Sequence, residues 1–329
     1  MPHVLVAGRI HEAGIGVLRS APGVTFEVVE EVSTDAYAPR IPGADALLIR
    51  TQPLPASIVA GAPKLRIVSR HGVGYDSVDV RALDARGIPL AVIGDANSRS
   101  VAEHAFTLVL ALAKRVPAHD RAVRGGGWGV RDSFPAAELW GKTLFLVGFG
   151  RIGRLVAGMA AAFGMRVLAL DPFQSADAIR AGGAEPVPAL TDGLQAADAV
   201  SLHVPKAGNK PLIGADELAL MKPGAILVNT SRGGLIDEDA LADALDAGRI
   251  AGAGLDVFEA EPAAADGRLL RSSRTVLSPH LAGLTEECAA RMGEMAARNI
   301  LDFFAGRLDP ALVVNRDAIA FGLPGARAS

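Results

Sequence analysis

Three glycines and an aspartate in the middle of the chain have the types and spacing that bind a diphosphate beside a sugar. The glycines are Gly148, Gly150 and Gly153, and Asp171 follows the last of them by roughly 20 residues. The apolar run Leu144–Val147 before them predicts a strand, and a helical pattern comes after. The first glycine permits a tight turn, the second lets a pyrophosphate approach the backbone, and the third lets the helix pack closely on the sheet. The helix N-terminus then attracts phosphate.

These residues predict a dinucleotide site with NAD as the cofactor. A carboxylate at Asp171 accepts hydrogen bonds from the ribose hydroxyls and repels the 2′-phosphate of NADP. Arg151 and Ile152, which lie inside the glycine turn, are assigned to the same site. An ordinary strand–turn–helix unit with a surface aspartate is the alternative interpretation.

Three polar residues in the second half of the chain could reduce a 2-keto acid. Arg232, Glu261 and His280 lie in loops after predicted strands, where open α/β sheets place their ligands. An arginine can hold the substrate carboxylate and carbonyl through its fork of donors. A protonated histidine can give a proton to the carbonyl oxygen, and a carboxylate can orient that histidine. Taken singly, each residue has a structural interpretation: a solvated arginine, a loop acid and a structural histidine.

Short apolar, β-branched runs alternate with helical patterns along most of the chain, which predicts an α/β fold with parallel sheets. The pattern predicts one long helix from Ser100 to Ala118 and another from Thr285 to Ala305. The glycine-rich segment Arg124–Gly129 is interpreted as a flexible crossing between two domains. Predicted strands fall at His3–Gly8, Val24–Glu30, Ala44–Arg50, Leu65–Arg70, Ile88–Ile93, Leu144–Val147, Arg166–Leu170, Ala199–His203, Ala225–Asn229, Gly252–Asp256 and Thr275–Leu277.

Seven segments, in this order, resemble the D-2-hydroxyacid dehydrogenase family over nearly the whole chain. They are "HGVGYDSVDVRALDARGIPL", "SVAEHA", "GKTLFLVGFGRIG", "LHVP", "MKPGAILVNTSRGGLIDEDAL", "AGAGLDVFEAEP" and "SPHLAG". The chain looks most similar to the phosphoglycerate, glycerate and hydroxypyruvate reductase branch. The resemblance implies two Rossmann-like parallel-sheet domains. A discontinuous, flavodoxin-like substrate-binding domain (residues 1–98 and 287–329) would carry an inserted NAD-binding domain (residues 99–286).

The resemblance also assigns roles to individual residues. It implies that Arg232 binds substrate and that Glu261 pairs with the catalytic His280. Val73 and Gly74 would offer backbone N–H groups to the substrate carboxylate, and Arg50 and His71 are assigned to the same pocket, although His71 could equally be a scaffold residue. Further residues are assigned to the cofactor: Val204 and Pro205 beside the adenine, His203 and Thr230 elsewhere along the cofactor, and Asp256 at the nicotinamide carboxamide.

The composition limits the binding partners and the cellular location that we expect for the protein. The formal net charge is −3 with scattered Lys and Arg, so we expect no nucleic-acid partner. No metal is expected. The single cysteine, Cys288, fits a reducing cytoplasm and is expected to be a buried structural thiol. Met1–Arg9 lacks the features of a signal peptide, and the apolar run Phe106–Ala113 is too short to span a bilayer. We expect a cytoplasmic homodimer with no membrane partner.

Two other functions remain open from the sequence. A formate dehydrogenase-type activity shares the fold, but it normally pairs the histidine with glutamine rather than with an acid such as Glu261. A non-catalytic NAD-sensing binding protein can retain the triad. Nothing in the pattern identifies which 2-hydroxy acid is the substrate. The C-terminal regulatory extension of some phosphoglycerate dehydrogenases is not found in this sequence, so serine feedback through such a domain is not expected.

Overall fold

The computed structural model describes residues 1–206 and 208–321. The chain divides into two compact units: the first comprises Met1–Asn97 and Leu284–Ser329, and the second comprises Ser98–Gly283. These bounds lie close to the predicted 1–98 and 287–329 and the predicted 99–286, although residues 322–329 lie outside the described part. The two units are described separately below.

The first unit contains a five-stranded parallel sheet in the order β2-β1-β3-β4-β5. Its central strands are almost entirely buried, because helices cover both faces of a parallel sheet. This explains why they read as continuous apolar runs rather than as alternating ones. The strands are β1 (His3–Ala7), β2 (Thr25–Val29), β3 (Ala46–Ile49), β4 (Ile67–Arg70) and β5 (Leu90–Ala91).

Four short helices connect these strands, namely α1 (Glu12–Arg19), α2 (Thr34–Tyr37), α3 (Ala56–Ala60) and α4 (Val80–Asp84), with a 3₁₀ segment at Ala38–Gly43. Polar side chains begin three of them: His11, Ser33 and Asp79 each accept a hydrogen bond from a backbone N–H in the first turn.

The second unit contains a seven-stranded parallel sheet in the order β12-β11-β10-β9-β6-β7-β8. The chain starts at the central strand, builds outward on one side, and then returns to build the other side, which is the doubly wound topology. The strands are β6 (Thr143–Val147), β7 (Arg166–Leu170), β8 (Glu185–Pro186), β9 (Ala199–Leu202), β10 (Ile226–Asn229), β11 (Gly252–Leu255) and β12 (Thr275–Leu277). Only the two-residue edge strand β8 was not predicted from the sequence.

The helices of the second unit are α5 (Ser98–Ala113), α6 (Val116–Arg124), α7 (Arg151–Ala162), α8 (Ala176–Ala181), α9 (Leu190–Ala196), α10 (Ala215–Leu220), α11 (Glu238–Asp246) and α12 (Arg268–Arg271), with a 3₁₀ segment at Trp128–Ser133. The single helix predicted from Ser100 to Ala118 is wrong at its end. Helix α5 ends at Ala113, Arg115 is left-handed with φ of 53°, and α6 begins at Val116. Pro117 explains the break, because a proline ring clashes with the carbonyl four residues earlier in a continuous helix.

The glycine segment Arg124–Gly129 does not cross between units. It lies inside the second unit, where the N–H of Gly127 donates to the carbonyl of Ala122 and ends helix α6. The chain passes between the units at residues 97–98 and 283–284 instead. The three glycines form a local turn, and composition alone did not distinguish such a turn from a linker.

The last helix, α13 (Glu286–Phe304), and the tail after it belong to the first unit. Thr285 caps the helix by accepting from the N–H of Cys288, and Cys288 is fully buried, as predicted. Helices α1 and α13 cross so closely that a Cβ on Gly14 would lie 2.6 Å from the Gly293 backbone. Beyond a 3₁₀ turn at Pro310–Leu312, Val313 bridges Ala91 in antiparallel fashion, so the tail returns to the first sheet.

Candidate active site

The glycine turn connects β6 to α7 in the manner that the spacing predicted. Gly148 has φ of 98°, and a Cβ there would lie 2.4 Å from the carbonyl oxygen of His203. A Cβ on Gly153 would lie 2.4 Å from the carbonyl oxygen of Gly148, whereas one on Gly150 would meet open space. Two glycines therefore serve close packing, and the third leaves the backbone accessible to a ligand.

Asp171 stabilises this turn from the end of β7. Its Oδ2 accepts a hydrogen bond from the N–H of Phe149 at 2.8 Å, and its Oδ1 accepts one from the N–H of Phe173 at 2.8 Å. A carboxylate offers about four acceptor positions, so positions remain for ribose hydroxyls. The aspartate thus also positions the glycine loop, a role that its sequence spacing did not reveal.

Two polar atoms at this edge of the sheet are buried and have no hydrogen-bond partner among the described residues. One is Oγ1 of Thr230, directly after β10, and the other is Nδ1 of His203, directly after β9. The other ring nitrogen of His203 lies 2.9 Å from Oγ of Ser201. Burial lowers the pKa of His203 to about 4. A neutral imidazole is the outcome, and a bound ligand could satisfy both orphan atoms.

The residues at this edge fit a dinucleotide. Helix α7 begins without a side-chain cap at Gly150, so its first N–H groups are available for a pyrophosphate. Arg151 is exposed and Ile152 is half-buried in the first turn of α7, and Val204 packs against Gly148 from the neighbouring loop, which continues to the exposed Pro205. The strands of this sheet are parallel, so these groups all lie at one edge.

The loop that carries Arg232 is built by the side chain of Asn229. That amide donates to the carbonyl of Arg232 at 2.8 Å and accepts from the N–H of Ser231 at 3.0 Å. The next residue, Gly233, lies so close to the loop after β11 that a Cβ would meet the carbonyl oxygen of Phe258 at 1.7 Å. The Arg232 loop is therefore packed on the segment that leads to Glu261.

Glu261 and His280 form a direct pair. Oε2 of Glu261 lies 2.7 Å from Nδ1 of His280, and Oε1 accepts from the N–H of Phe258 at 3.1 Å. Because a carboxylate only accepts, Nδ1 carries the proton in this pair. The side chains are 37% and 54% exposed, so the pair remains accessible to a substrate. The remaining ring nitrogen, Nε2, is available for proton exchange.

Asp256, at the end of β11, anchors the loop that carries His280. Its carboxylate is buried and accepts from Oγ of Ser278 at 2.6 Å and from the N–H groups of Leu281 and Ala282 at 2.9 Å. Its carbonyl accepts from the N–H of His280 at 2.8 Å. Oδ2 accepts one hydrogen bond, so it retains one acceptor position. No sequence motif revealed the loop-anchoring role.

The predicted substrate residues Arg50, His71, Val73 and Gly74 lie in the first unit, at the carboxyl ends of β3 and β4. Nη1 of Arg50 donates to the carbonyl of Arg9 at 3.0 Å, which places two arginine positions side by side. His71 is buried, while Val73 is exposed and Gly74 is half-buried in the loop that follows.

Positive charge is concentrated around His71. Burial, and to a smaller extent the guanidinium groups of Arg50 and Arg70, lower the pKa of His71 to about 4. The pKa of Arg50 is also lowered, by burial and by Arg9. Nε2 of His71 is buried without a hydrogen-bond partner among the described residues. A neutral imidazole beside several guanidinium groups is suited to an anionic ligand.

The described residues contain neither a membrane-spanning helix nor a cluster of metal-binding side chains. No helix within them combines the length and apolarity needed to cross a membrane. No group of three or more His, Cys, Asp or Glu side chains within them is arranged to hold a metal ion.

A doubly wound sheet with a glycine turn at its central strand is typical of dinucleotide-binding α/β proteins, and the His–Glu pair lies at the same edge of this sheet. Residues 106–282 match the family model described as the NAD-binding domain of D-isomer specific 2-hydroxyacid dehydrogenases. The chain belongs to this family. The match confirms the predicted family and the predicted cofactor, NAD.

Two relatives and one solved structure show the range of the similarity. The chain is 43% identical to a glyoxylate reductase from Korarchaeum cryptofilum, covering 98% of this chain and 99% of the relative. It is 41% identical to a D-3-phosphoglycerate dehydrogenase from Mycobacterium tuberculosis, covering 95% of this chain but only 59% of the length of that relative. The TT0316 protein from Thermus thermophilus superposes with a TM-score of 0.88 at 33% identity, over 95% of this chain and 99% of that one. The predicted fold class is confirmed.

Proposed function

We propose that the protein is an NAD-dependent D-2-hydroxyacid dehydrogenase that reversibly interconverts a small 2-keto acid and its 2-hydroxy acid. The observation that carries this proposal is the contact of 2.7 Å between Glu261 and His280 at the nucleotide-binding edge of the sheet. A paired imidazole can hold and release a proton, which is what carbonyl reduction requires. The family match and the names of the relatives support the same activity.

NADH, when bound, supplies the hydride that adds to C2 of the keto acid. His280 delivers the proton from Nε2 to the carbonyl oxygen as the C=O π pair moves onto that oxygen, and the imidazole is left neutral. Glu261 holds Nδ1 and offsets the positive charge of the protonated ring. Arg232 binds the substrate carboxylate through paired donors. In the oxidative direction the neutral His280 accepts the hydroxyl proton.

The proposal assigns the cofactor to the residues of the glycine turn and its neighbours. Gly148, Gly150, Arg151, Ile152 and Gly153 take the pyrophosphate, and Asp171 takes the ribose. The loop groups of His203, Val204, Pro205, Thr230 and Asp256 take the remainder. Because Asp171 carries negative charge at the ribose position, NADH is preferred over NADPH.

The first unit contributes the substrate residues Arg50, His71, Val73 and Gly74. The arginines around the neutral His71 favour a substrate that has a second anionic group besides its carboxylate. We infer that a phosphorylated keto acid such as phosphohydroxypyruvate is preferred to glyoxylate. The mycobacterial relative is named for a phosphorylated substrate and the archaeal one for glyoxylate, so the names alone leave both classes open.

A steady-state assay over a panel of keto acids tests the activity and the substrate class together. Phosphohydroxypyruvate, hydroxypyruvate and glyoxylate are each tried with NADH and NADPH. We expect NADH oxidation with the phosphorylated acid to have the highest kcat/KM. No turnover with any keto acid, alongside measurable NADH binding, would support the NAD-sensing alternative. NAD reduction with formate would support the formate dehydrogenase alternative.

We also propose that the protein forms a homodimer through the surface of α6 and the 3₁₀ segment that follows it. None of the residues of α6 or of this segment is buried, yet the surface carries Val116, Val123, Trp128 and Phe134. Exposed aromatic residues grouped in this way are typical of an interface. The helix also has both Asp120 and Arg121, so a copy related by a twofold axis offers opposite charges. Helix α5 is mostly buried within its own unit, so we do not assign the interface to it.

A further inference from the structure

A chain of three polar side chains connects helix α5 to the loop of His280 in the second unit. Nε2 of His104, on α5, lies 2.8 Å from Oγ of Ser278, and Oγ of Ser278 lies 2.6 Å from Oδ1 of Asp256. The direct separation between Nε2 of His104 and Oδ1 of Asp256 is 3.8 Å, so the serine is the link. The mechanism proposed above uses neither His104 nor Ser278.

The direction of these hydrogen bonds follows from counting protons. Asp256 accepts on both oxygens, so the single hydroxyl proton of Ser278 points to Oδ1. The oxygen of that hydroxyl can then only accept from the other side. Nε2 of His104 therefore carries a proton and donates it to Ser278. This order fixes the rotor of Ser278 and the tautomer of His104.

This series of hydrogen bonds ends at the backbone around His280. Asp256 receives the N–H groups of Leu281 and Ala282, which immediately follow His280. His280 itself has φ of 51°, a left-handed conformation that a residue with a side chain adopts only when its surroundings enforce it. The orientation of the Asp256 carboxylate thus decides whether this conformation is held.

We propose that His104 is a positioning residue for His280, acting through Ser278 and Asp256. This inference rests on the proposed dehydrogenase function. The side chain of His104 is 21% exposed. It lies at the end of the hydrogen-bonded series that is farthest from His280, whose imidazole exchanges the proton. A misoriented His280 would slow proton transfer while leaving the glycine turn and Asp171 unchanged. The effect belongs in kcat rather than in NADH affinity.

Two substitutions of His104 form a matched pair. The amide nitrogen of glutamine can occupy the position of Nε2 and donate to Ser278, whereas the shorter asparagine cannot reach it. We expect His104→Asn to lower kcat about tenfold, the lower end of the range for lost supporting contacts, with KM for NADH changed less than about twofold. His104→Gln should retain activity within about threefold. Glu103→Gln, on the exposed side of the same helix, is the control and should behave as wild type.

A double-mutant cycle distinguishes an effect that passes through these hydrogen bonds from a general loss of packing. Because His104 acts through Ser278, His104→Asn in a Ser278→Ala background should lower kcat by less than about twofold further. Independent effects would multiply instead, and that result would overturn the inference. A His104→Gln enzyme as slow as His104→Asn would overturn it as well. The wild type is assayed first, so its inactivity would count against the proposed function and not against this inference alone.

The tautomer offers a measurement that does not depend on activity. A long-range ¹H–¹⁵N spectrum of the ¹⁵N-histidine protein, assigned by comparison with His104→Gln, reports which ring nitrogen carries the proton. We expect a protonated Nε2. A ring of His104 that is protonated on Nδ1 alone would contradict the hydrogen-bond order and overturn the inference.

Discussion

His280 is held at two places that have different consequences. Glu261 contacts its ring, and Asp256 contacts its backbone and the two residues after it. The first contact places a carboxylate beside the imidazole, and the second determines where the ring lies. A variant of either acid should impair catalysis, but for a different physical reason.

At the residue scale, removal of the proton donor should be the most damaging change. We expect His280→Ala to lower kcat by roughly 10²–10⁴, the range for general acid–base catalysis. Glu261→Gln keeps the shape but removes the charge that stabilises the protonated ring, so it should lower kcat for reduction by a smaller factor. Steady-state assays in both directions measure this, and NADH titration should give an affinity close to wild type for both variants. A fully active His280→Ala enzyme would refute the assignment.

A second change at the residue scale concerns cofactor choice. Replacing Asp171 with Ser removes the charge that repels a 2′-phosphate, so the ratio of kcat/KM for NADH over NADPH should fall at least tenfold, which corresponds to about 1.4 kcal/mol. Asp177→Asn, at an exposed position on α8, is the matched control. An unchanged ratio in Asp171→Ser would show that the preference has another source.

At the element scale, the turn between β6 and α7 depends on how closely the helix approaches the strand. Asp171 holds the turn from β7, His203 borders it from the loop after β9, and Gly153 sets the distance of the helix. The proposed cofactor site at this edge of the sheet is therefore formed by three strands and one helix together, and not by the glycine segment alone.

Two glycines of α7 provide a test of this packing. Gly153→Ala places a Cβ 2.4 Å from the carbonyl oxygen of Gly148, so the helix must move, and NADH affinity should fall at least about tenfold. Gly158→Ala, in the same helix, meets nothing within 4 Å and should raise stability by up to about 1 kcal/mol through helix propensity. NADH titration and thermal unfolding of both variants measure the difference. Equal behaviour of the two variants would contradict the close-packing argument.

At the scale of the whole molecule, the exposed apolar surface of α6 and of the following segment up to Phe134 should determine the oligomeric state. Trp128 and Phe134 are 66% and 87% exposed in the single chain. The double substitution Trp128→Ser and Phe134→Ser should shift a dimer to a monomer in sedimentation velocity at micromolar concentration. Val32→Ser is the control: it removes an exposed apolar side chain in the first unit and should leave the dimer intact. A wild type that sediments only as a monomer would end this proposal.

The two buried imidazoles should make the whole molecule sensitive to acid. Burial lowers the pKa of His203 and His71 to about 4 in the folded chain, while the unfolded chain takes up these protons near pH 6.5. The unfolded state therefore binds more protons between about pH 6.5 and pH 4, and stability falls as the pH drops through that window. By about pH 5 each histidine should remove about 2 kcal/mol from the free energy of unfolding.

Chemical denaturation at about pH 7 and about pH 5 measures this loss. His203→Gln remains neutral throughout, so it should show a smaller decrease between the two values than wild type. The comparison uses the difference between pH values, so any constant effect of the substitution cancels. An identical decrease in wild type and in His203→Gln would show that this imidazole does not contribute.

The sequence alone determined the features that depend on neighbours along the chain. The glycine spacing, the apolar strands and the acid after the second strand are local, so Gly148, Gly150, Gly153 and Asp171 could be recognised before any folding was considered. The end of α5 was also within reach, because Pro117 was visible and its effect on a helix is local. The motifs around Arg232, Glu261 and His280 identified the family on the same basis.

Only the tertiary structure determined which of these groups contact one another and which residues connect them. Asp256 and Ser278 are brought together by the pairing of β11 with β12, and His104 reaches Ser278 across 174 positions of sequence. The Gly233 contact with Phe258 likewise arises from adjacent strand ends. Such contacts have no local pattern, because they depend on strand order and helix placement rather than on sequence spacing. For the same reason the sequence could name His280 but not the residues that hold it in place.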